Sequence, residues 1–394
     1  DLSFNLPVYA VDSDGDDSLV SQLGVTIGDD VQLMLGGTIT SREPASAVET
    51  SNTLDVMPSQ SADGAKITSF VFDGNTAESL DLNVNGEQEF VFTEGSVFIT
   101  TEGEIRFEPV RNQNHAGGDI TKSIEVTSVD LDGDIVTSTV TLKIVDGDLP
   151  TIDLVPGITL SEVDLVDGSV PTGNPVTMTQ TITYTAGSDD VSHFRIDPTQ
   201  FNTSGSLKSN GLDVEIKEQP ANSGNYIGFV KDGSNVETNV FTISFSTSNL
   251  GQYTFTLLEA LDHVDGLQNN ILSFDVPVLA VDADGDDSAM SPMTVAITDD
   301  VQGVQDGTLS ITEPSLADLA SGTPPTTPII DVMPTQSADG AKVTQFTYDG
   351  GTAVTLDPSI STEQVFTVTD GLLYITIEGE VRFEPSRDLD HSSG

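Results

Sequence analysis

The sequence has no cysteine and no tryptophan. Without cysteine, disulfide staples and thiolate metal chemistry are excluded, so packing, hydrogen bonds or oxygen ligands must hold the fold. Basic residues are scarce: 13 Lys+Arg stand against 63 Asp+Glu in 394 residues, a formal net charge of −50. A surface of that sign repels phosphates, which argues against nucleic acid and anionic membranes as partners. No apolar run approaches the roughly 18 residues of a membrane span, so no membrane insertion is expected. At Asp1 no signal peptide is expected, and the sequence reads as a window cut from something longer. No long amphipathic helix, P-loop or zinc-protease pattern is legible either.

What is present is acid, glycine and alternation. Hydrophobic residues make up 36%, a low share that with high charge can signal disorder. Here the apolar residues fall in alternating runs. Val136, Ser138, Val140, Leu142 and Ile144 alternate with polar neighbours, as do Leu2, Phe4, Leu6, Val8 and Ala10. That is the period of a half-buried strand. Short runs rich in Val, Ile, Thr and Phe, punctuated by Asp-Gly, Glu-Gly and Asn-containing turns, point to β-sandwiches. The length suggests roughly two to four domains.

The chain also repeats itself. "LSFNLPVYAVDSDGDDS" (2–18) returns as "LSFDVPVLAVDADGDDS" (272–288), and "DVMPSQSADGAKIT" (55–68) as "DVMPTQSADGAKVT" (331–344). "EGEIRFEP" (102–109) returns as "EGEVRFEP" (378–385). The offset grows from 270 to 276, which fits a loop insertion, "LASGTPPTTP" (319–328). Residues 122–150 are a weaker copy of 2–30 and 272–300. These boundaries predict the closing strands of a truncated module at 1–30 and a β-sandwich at 31–148. A larger β-sandwich follows at 149–300, then a second copy of the 31–148 type at 301–394 without its closing strands.

Three acidic knots join paired strands: "AVDSDGDDS" (10–18), "SVDLDGDIV" (128–136) and "AVDADGDDS" (280–288). In the first, a spacing of two on extended backbone would aim Asp12 and Asp14 to one side, and Gly15 would let Asp16 fold back toward them. Carboxylates gathered on a tight loop suit Ca2+, which needs about six to eight oxygen ligands. Further acids recur at the module junctions: Asp29 and Asp30, Asp146 and Asp148, Asp299 and Asp300. Glu43, Glu162 and Glu313 each follow a first strand. If these ends meet, carboxylates of neighbouring modules would share cations and stiffen the junction. The competing reading is that Asp-Gly loops are solvated turns, favoured for backbone reasons alone. The spacing is not that of an EF-hand loop.

At these residues a resemblance enters. "VPVLAVDADGDDSAMSPMTVAITDD" (276–300), preceded by "YTFTLLEALDHVDG" (253–266), resembles the large repeat of type I secretion substrates in Gram-negative adhesins of the repeats-in-toxin (RTX) class. "GEIRFEPVRNQNHAGG" (103–118) and its Asp-Gly tail resemble the cadherin-like repeats of the same giant proteins. The resemblance implies extracellular, Ig-like or cadherin-like β-sandwich extenders in an elongated string, all-β and rigidified by Ca2+ near their junctions. Such segments are secreted to the cell surface and serve adhesion or biofilm formation. It carries over to Asp12, Asp14, Asp16, Asp130, Asp132, Asp134, Asp282, Asp284 and Asp286. The middle tail departs from it: "IVDGDLP" sets Gly147 where the others read Asp-Asp.

No enzyme is expected. His115 and His391 occupy the same repeat position and read as loop braces. His263 lies among acids, as a surface residue or a neighbour of ligands, and no nucleophile accompanies any of them. The partners implied are neighbouring modules of the same chain. Two other readings stay open. One is a carbohydrate- or protein-binding module centred on 149–300, where Tyr184, Phe194, Phe201, Tyr226 and Phe229 would offer a surface unless they form core. The other is head-to-tail self-association by donor-strand exchange into an extracellular filament.

Overall fold

The structure is a computed structural model and describes residues 1–394 except 47–50, 265, 267–268, 318–326, 388 and 390–394. The chain is all-β and built of several sheets. It divides into two compact units. One comprises Asp1–Thr151 with Thr185–Ser192 and Val281–Asp287; the other comprises Ile152–Tyr184, His193–Ala280 and Ser288–Gly394. Among the described residues no helix is long and apolar enough to cross a membrane.

The first unit contains a sandwich. One sheet runs Gly37–Arg42, Ile135–Val145, Ile120–Asp130, Ala65–Phe72, Glu78–Ser79, and the other runs Leu54–Asp55, Glu104–Pro109, Gly95–Ile99, Gln88–Phe92. The alternation read from sequence sorts the faces. Val140, Leu142 and Ile144 are fully buried with Ile124 and Val126 of the neighbouring strand, while Val136 and Ser138 are only half-buried. Both sheets feed one core, in which Phe72 stacks on Phe92 at 4.3 Å and Phe70 meets Phe90 edge-on at 4.9 Å. Each fully buried ring, such as Phe70 or Phe72, stabilises the fold by about 1.5–3 kcal/mol through burial. Gly37–Arg42 pairs with Ile135–Val145 in parallel, ending with Arg42 opposite Val145. That register decides where the next residues stand.

The unit also holds the antiparallel pair Leu2–Val8 and Ser21–Ile27. The expected strand forms, but its apolar side is uncovered: Leu2, Phe4, Leu6 and Val8 are all exposed.

In the second unit one sheet runs Ile158–Ser161, Ser291–Thr298, Ile271–Asp282, Val191–Ile196. A five-stranded sheet runs Val176–Thr181, Gln252–Leu257, Glu237–Phe245, Asn225–Lys231, Glu215–Glu218. Here too the first strand pairs in parallel with the last, Ser161 opposite Thr298. Phe194, Phe201, Tyr226 and Phe229 are buried, and Tyr184 packs edge-on against Phe194 at 5.3 Å. These aromatics are core rather than an exposed platform. Further along, Ile330–Asp331, Glu380–Pro385, Gly371–Ile375 and Gln364–Val368 form a sheet around Leu356, Ile375 and Ile377. Each of these strands stands 276 residues after a counterpart in the first unit. The insertion at 319–328 lies almost wholly outside the described residues.

Candidate metal centres

The acidic knots are turns, not extended segments, which corrects the spacing argument for Asp12 and Asp14. Asp12 Oδ1 accepts the N–H groups of Asp14 (3.3 Å) and Asp16 (2.9 Å). Asp130 Oδ1 accepts those of Gly133 and Asp134, and Asp282 Oδ1 those of Gly285 and Asp286. Gly15, Gly133 and Gly285 sit at φ of +97°, +100° and +104°, where a side chain would be strained. The first aspartate of each knot therefore shapes the loop with one oxygen. The ligand oxygens of Asp12, Asp14 and Asp16 still lie within 4.8 Å of one another, as do those of Asp130, Asp132 and Asp134. Both sets are largely open to solvent. Asp29 converges with Asp132 and with Asp63, and its hydrogen bond to Asp134 pushes that carboxyl up.

A buried centre forms in the first unit. Because Arg42 is opposite Val145 in a parallel pair, the next residues, Glu43 and Asp146, leave the sheet side by side. Glu43 is 0% exposed. Its Oε1 accepts the Gln113 N–H at 2.9 Å, while Oε2 has no hydrogen-bond partner and lies 3.2 Å from His115 Nε2. The His115 N–H donates to Asp284 Oδ2 (2.9 Å), whose other oxygen is unpartnered. Burial pushes Glu43 up despite the Gln113 N–H. Asp189, also buried, is pushed up to about 7 by burial and then by the charges of Glu43, Asp284, Asp282 and Asp146. Asp286 is raised by burial and by its contact with Asp146, and burial likewise raises Asp282. Asp148 is turned elsewhere, paired with Arg42 at 2.7 Å.

This geometry accounts for the departing tail. A Cβ on Gly147 would stand 1.6 Å from Ser188 Oγ and 2.5 Å from the Glu43 carbonyl oxygen. Ser188 Oγ donates to that carbonyl (3.0 Å) and accepts from the Asp148 N–H (2.7 Å). Only glycine leaves room for this tie beneath Glu43.

A second buried centre, in the second unit, follows the same plan. Ser161 is opposite Thr298, so Glu162 and Asp299 follow together. Glu162 is 0% exposed; its Oε1 accepts the Leu261 N–H at 2.8 Å and its Oε2 has no partner. His263 Nε2 lies 3.4 Å from Glu162 Oε1. Burial opposes protonation of His263, but Glu162 and Asp299 outweigh it and raise the imidazole. Asp339 is pushed up to about 6 by surrounding protein and then by Glu162 and Asp299, although its surface remains open to water. Asp300 is an anchor: its oxygens take Ser169 Oγ (2.5 Å), Ser169 N–H (2.7 Å) and Ala338 N–H (2.9 Å). Asp30 holds Ala62 N–H in the same way at 3.0 Å. Glu313 Oε1 accepts the Leu389 N–H at 2.6 Å, the counterpart of the Glu43–Gln113 contact.

Sequence reasoning missed Asp63, Asp189 and Asp339, read His115 as a loop brace, and left His263 as a surface residue or a neighbour of ligands. One signal was there to find. Gln113, Leu261 and Leu389, which cap the three glutamates, each stand two residues before a histidine, His115, His263 and His391. His391 itself lies outside the described residues. His115 is more than a loop brace, and the His263 side chain is only 5% exposed rather than lying on the surface.

The buried set suits a cation. Anionic oxygens without protein donors, crowded enough to push neighbouring carboxyls up, are costly to bury unless an ion pairs them. No family model matches the chain, and no curated protein matches it. Among solved structures it is similar to mouse clustered PcdhgC3 EC1-3, at 10% identity and a TM-score of 0.25, with 75% of this chain and 76% of that chain covered. It is similar to PcdhgB3 EC1-4 at 11% identity and a TM-score of 0.28, with 100% and 76% covered. A third is the structure described as a Ca2+-stabilized adhesin that helps an Antarctic bacterium reach out and bind ice, at 13% identity and a TM-score of 0.24, with 98% and 74% covered.

Proposed function

We propose that the chain is an extender segment of a large bacterial surface adhesin of the RTX class, exported by type I secretion and working outside the cell. Ca2+ at its acidic centres rigidifies it, in support of cell adhesion or biofilm formation. The observation that carries this reading is the pair Glu43 and Glu162. Each is wholly buried, each keeps an oxygen that no protein donor meets, and each is crowded by further acids. Glu43, Asp146, Asp189, Asp284 and Asp286 would hold one ion; Glu162, Asp299 and Asp339 would hold another. The ion supplies the charge that lets segments distant in sequence close on one another. In this reading the role is mechanical rather than catalytic.

The test compares the chain in chelator and in millimolar Ca2+ by thermal melting, protease digestion and solution dimensions. A cation bound only to the folded state adds about 2.7 kcal/mol per site at a hundredfold excess over Kd. Chelation should lower the melting temperature and speed digestion. Identical melting and dimensions in both buffers would refute the proposal.

A further inference from the structure

Calcium is a hard ion that takes oxygen, yet each buried centre presents an imidazole nitrogen. At the second centre the chemistry of that nitrogen can be read from its neighbours. The Asn270 Nδ2 donates to the Val264 carbonyl at 3.3 Å, which turns Asn270 Oδ1 toward His263 Nδ1 at 2.9 Å. An amide oxygen accepts, so Nδ1 carries a proton, and whenever the ring is neutral its Nε2 lone pair is directed inward. There Nε2 has no hydrogen-bond partner and stands 3.4 Å from Glu162 Oε1, with Asp299 completing the group. Nε2 and that carboxylate need positive charge between them, which either a proton on the ring or a bound metal ion supplies. A histidine whose outer N–H is held by an oxygen acceptor is the usual arrangement of a metal ligand.

The first centre repeats this. His115, with a side chain 2% exposed, has both ring nitrogens unpartnered and Nε2 at 3.2 Å from Glu43 Oε2, beside Asp146. In both centres the glutamate's Oε1 is fixed by a backbone N–H two residues before the histidine. One imidazole and two carboxylates within 4.8 Å of one another form a mixed nitrogen–oxygen donor set, which zinc accepts more readily than calcium, whose ligands are oxygens.

We propose that the Glu43–His115–Asp146 and Glu162–His263–Asp299 groups are each a binding site for a borderline-soft dication of the Zn2+ class, ligated through histidine Nε2. This deepens the reading of the same centres as cation sites and rests on it. Zn2+ entering through the imidazole competes with Ca2+ there, while the exposed aspartate knots, which lack nitrogen, keep their preference for hard ions.

The experiment titrates the full chain with Zn2+ alone and with Ca2+ alone by calorimetry, and with Co2+ as a spectroscopic probe of nitrogen ligation. The variants are His115→Ala and His263→Ala, with His115→Gln and His263→Gln in case truncation impairs folding, which circular dichroism monitors. Each variant should lose one Zn2+ site, weakened by more than about tenfold, and the corresponding Co2+ bands. Ca2+ binding should change little. Unaltered Zn2+ stoichiometry and affinity in every folded variant would overturn the assignment, even with Ca2+ binding intact. Histidine-dependent Zn2+ binding in a chain indifferent to Ca2+ would uphold it while sinking the calcium reading. Failure to bind either ion would overturn both.

Discussion

Stripped of divalent cations, the first unit should lose stability as the pH rises from about 4 to about 7. Asp189 is only 2% exposed. Burial, and then the charges of Glu43, Asp284, Asp282 and Asp146, push its carboxyl from 3.8 to about 7. A carboxyl raised in the fold holds its proton more tightly folded than unfolded. Its contribution is full below the unfolded value and lost as the pH climbs through the folded one. The two values differ by about three pH units, and at about 1.4 kcal/mol each the loss is about 4 kcal/mol. Glu43, Asp282 and Asp286 are raised as well and act in the same direction. The lowered carboxyls of this unit, Asp12, Asp81, Glu87 and Asp130, lose their contribution only on acidification through their lowered values, so they leave this window alone. For a unit of this size, Asp1–Thr151 with Thr185–Ser192 and Val281–Asp287, 4 kcal/mol corresponds to about 8–16 °C in melting temperature. Saturating Ca2+ should reverse the trend, because it binds the ionised carboxylates. Circular-dichroism melts across this range, in chelator and in Ca2+, with wild type and Asp189→Asn, decide the matter. The chelated wild type should fall with pH, the variant should lose most of that slope, and the Ca2+ and chelator curves should diverge. A chelated curve that is flat or rising, or an unchanged slope in Asp189→Asn, refutes the reasoning.

Two substitutions separate packing from the centres. Gly147→Ala drives a methyl into Ser188 Oγ and should destabilise the first unit by about 1–3 kcal/mol while lowering its Ca2+ response. Adding Ser188→Gly should recover part of the loss, and simple additivity of the two in melts would count against the contact. Phe107→Ala removes a fully buried ring stacked 6.3 Å from Phe72 and should cost about 3–5 kcal/mol in denaturant unfolding. The same cost with and without Ca2+ marks it as core alone; a cost that vanishes in Ca2+ would contradict that placement.

Much of the fold was legible because strand burial follows a period of two. Val140, Leu142 and Ile144 fall on one face by count alone. The knots were legible as connections between paired strands, since the runs on either side alternate and the loops carry Asp and Gly. The candidate centres were half legible. Glu43 and Glu162 stand out as acids ending apolar strands, and Asp146 and Asp299 as acids ending the last strands. What brings each pair together is the parallel register of first strand on last, which no local pattern states. The roles of His115 and His263 were harder to read for a related reason. They enter through a backbone N–H at Gln113 or Leu261 that caps the glutamate, a contact spanning 70 residues in one case and 99 in the other. Asp189 comes from a segment whose sequence reads as an ordinary acidic turn, and only its burial distinguishes it.

The repeated contacts indicate what this duplicated sequence holds fixed. Gln32 and Gln302 receive the N–H groups of Ser61 and Ser337 at 2.8 and 2.7 Å, alongside Asp30 on Ala62 and Asp300 on Ala338. Glu43, Glu162 and Glu313 are each capped by a main-chain N–H, even though the modules around Glu43 and Glu162 differ in strand number and core. Backbone donors are indifferent to side-chain identity, so the cores can diverge while the acids stay aimed. A chain of charge −50 that buries glutamates beside more acids stabilises its fold less than apolar residues would without cations. If divalent ions fill these centres as proposed, they return that stability, and stiffness becomes a property of the medium as much as of the polypeptide.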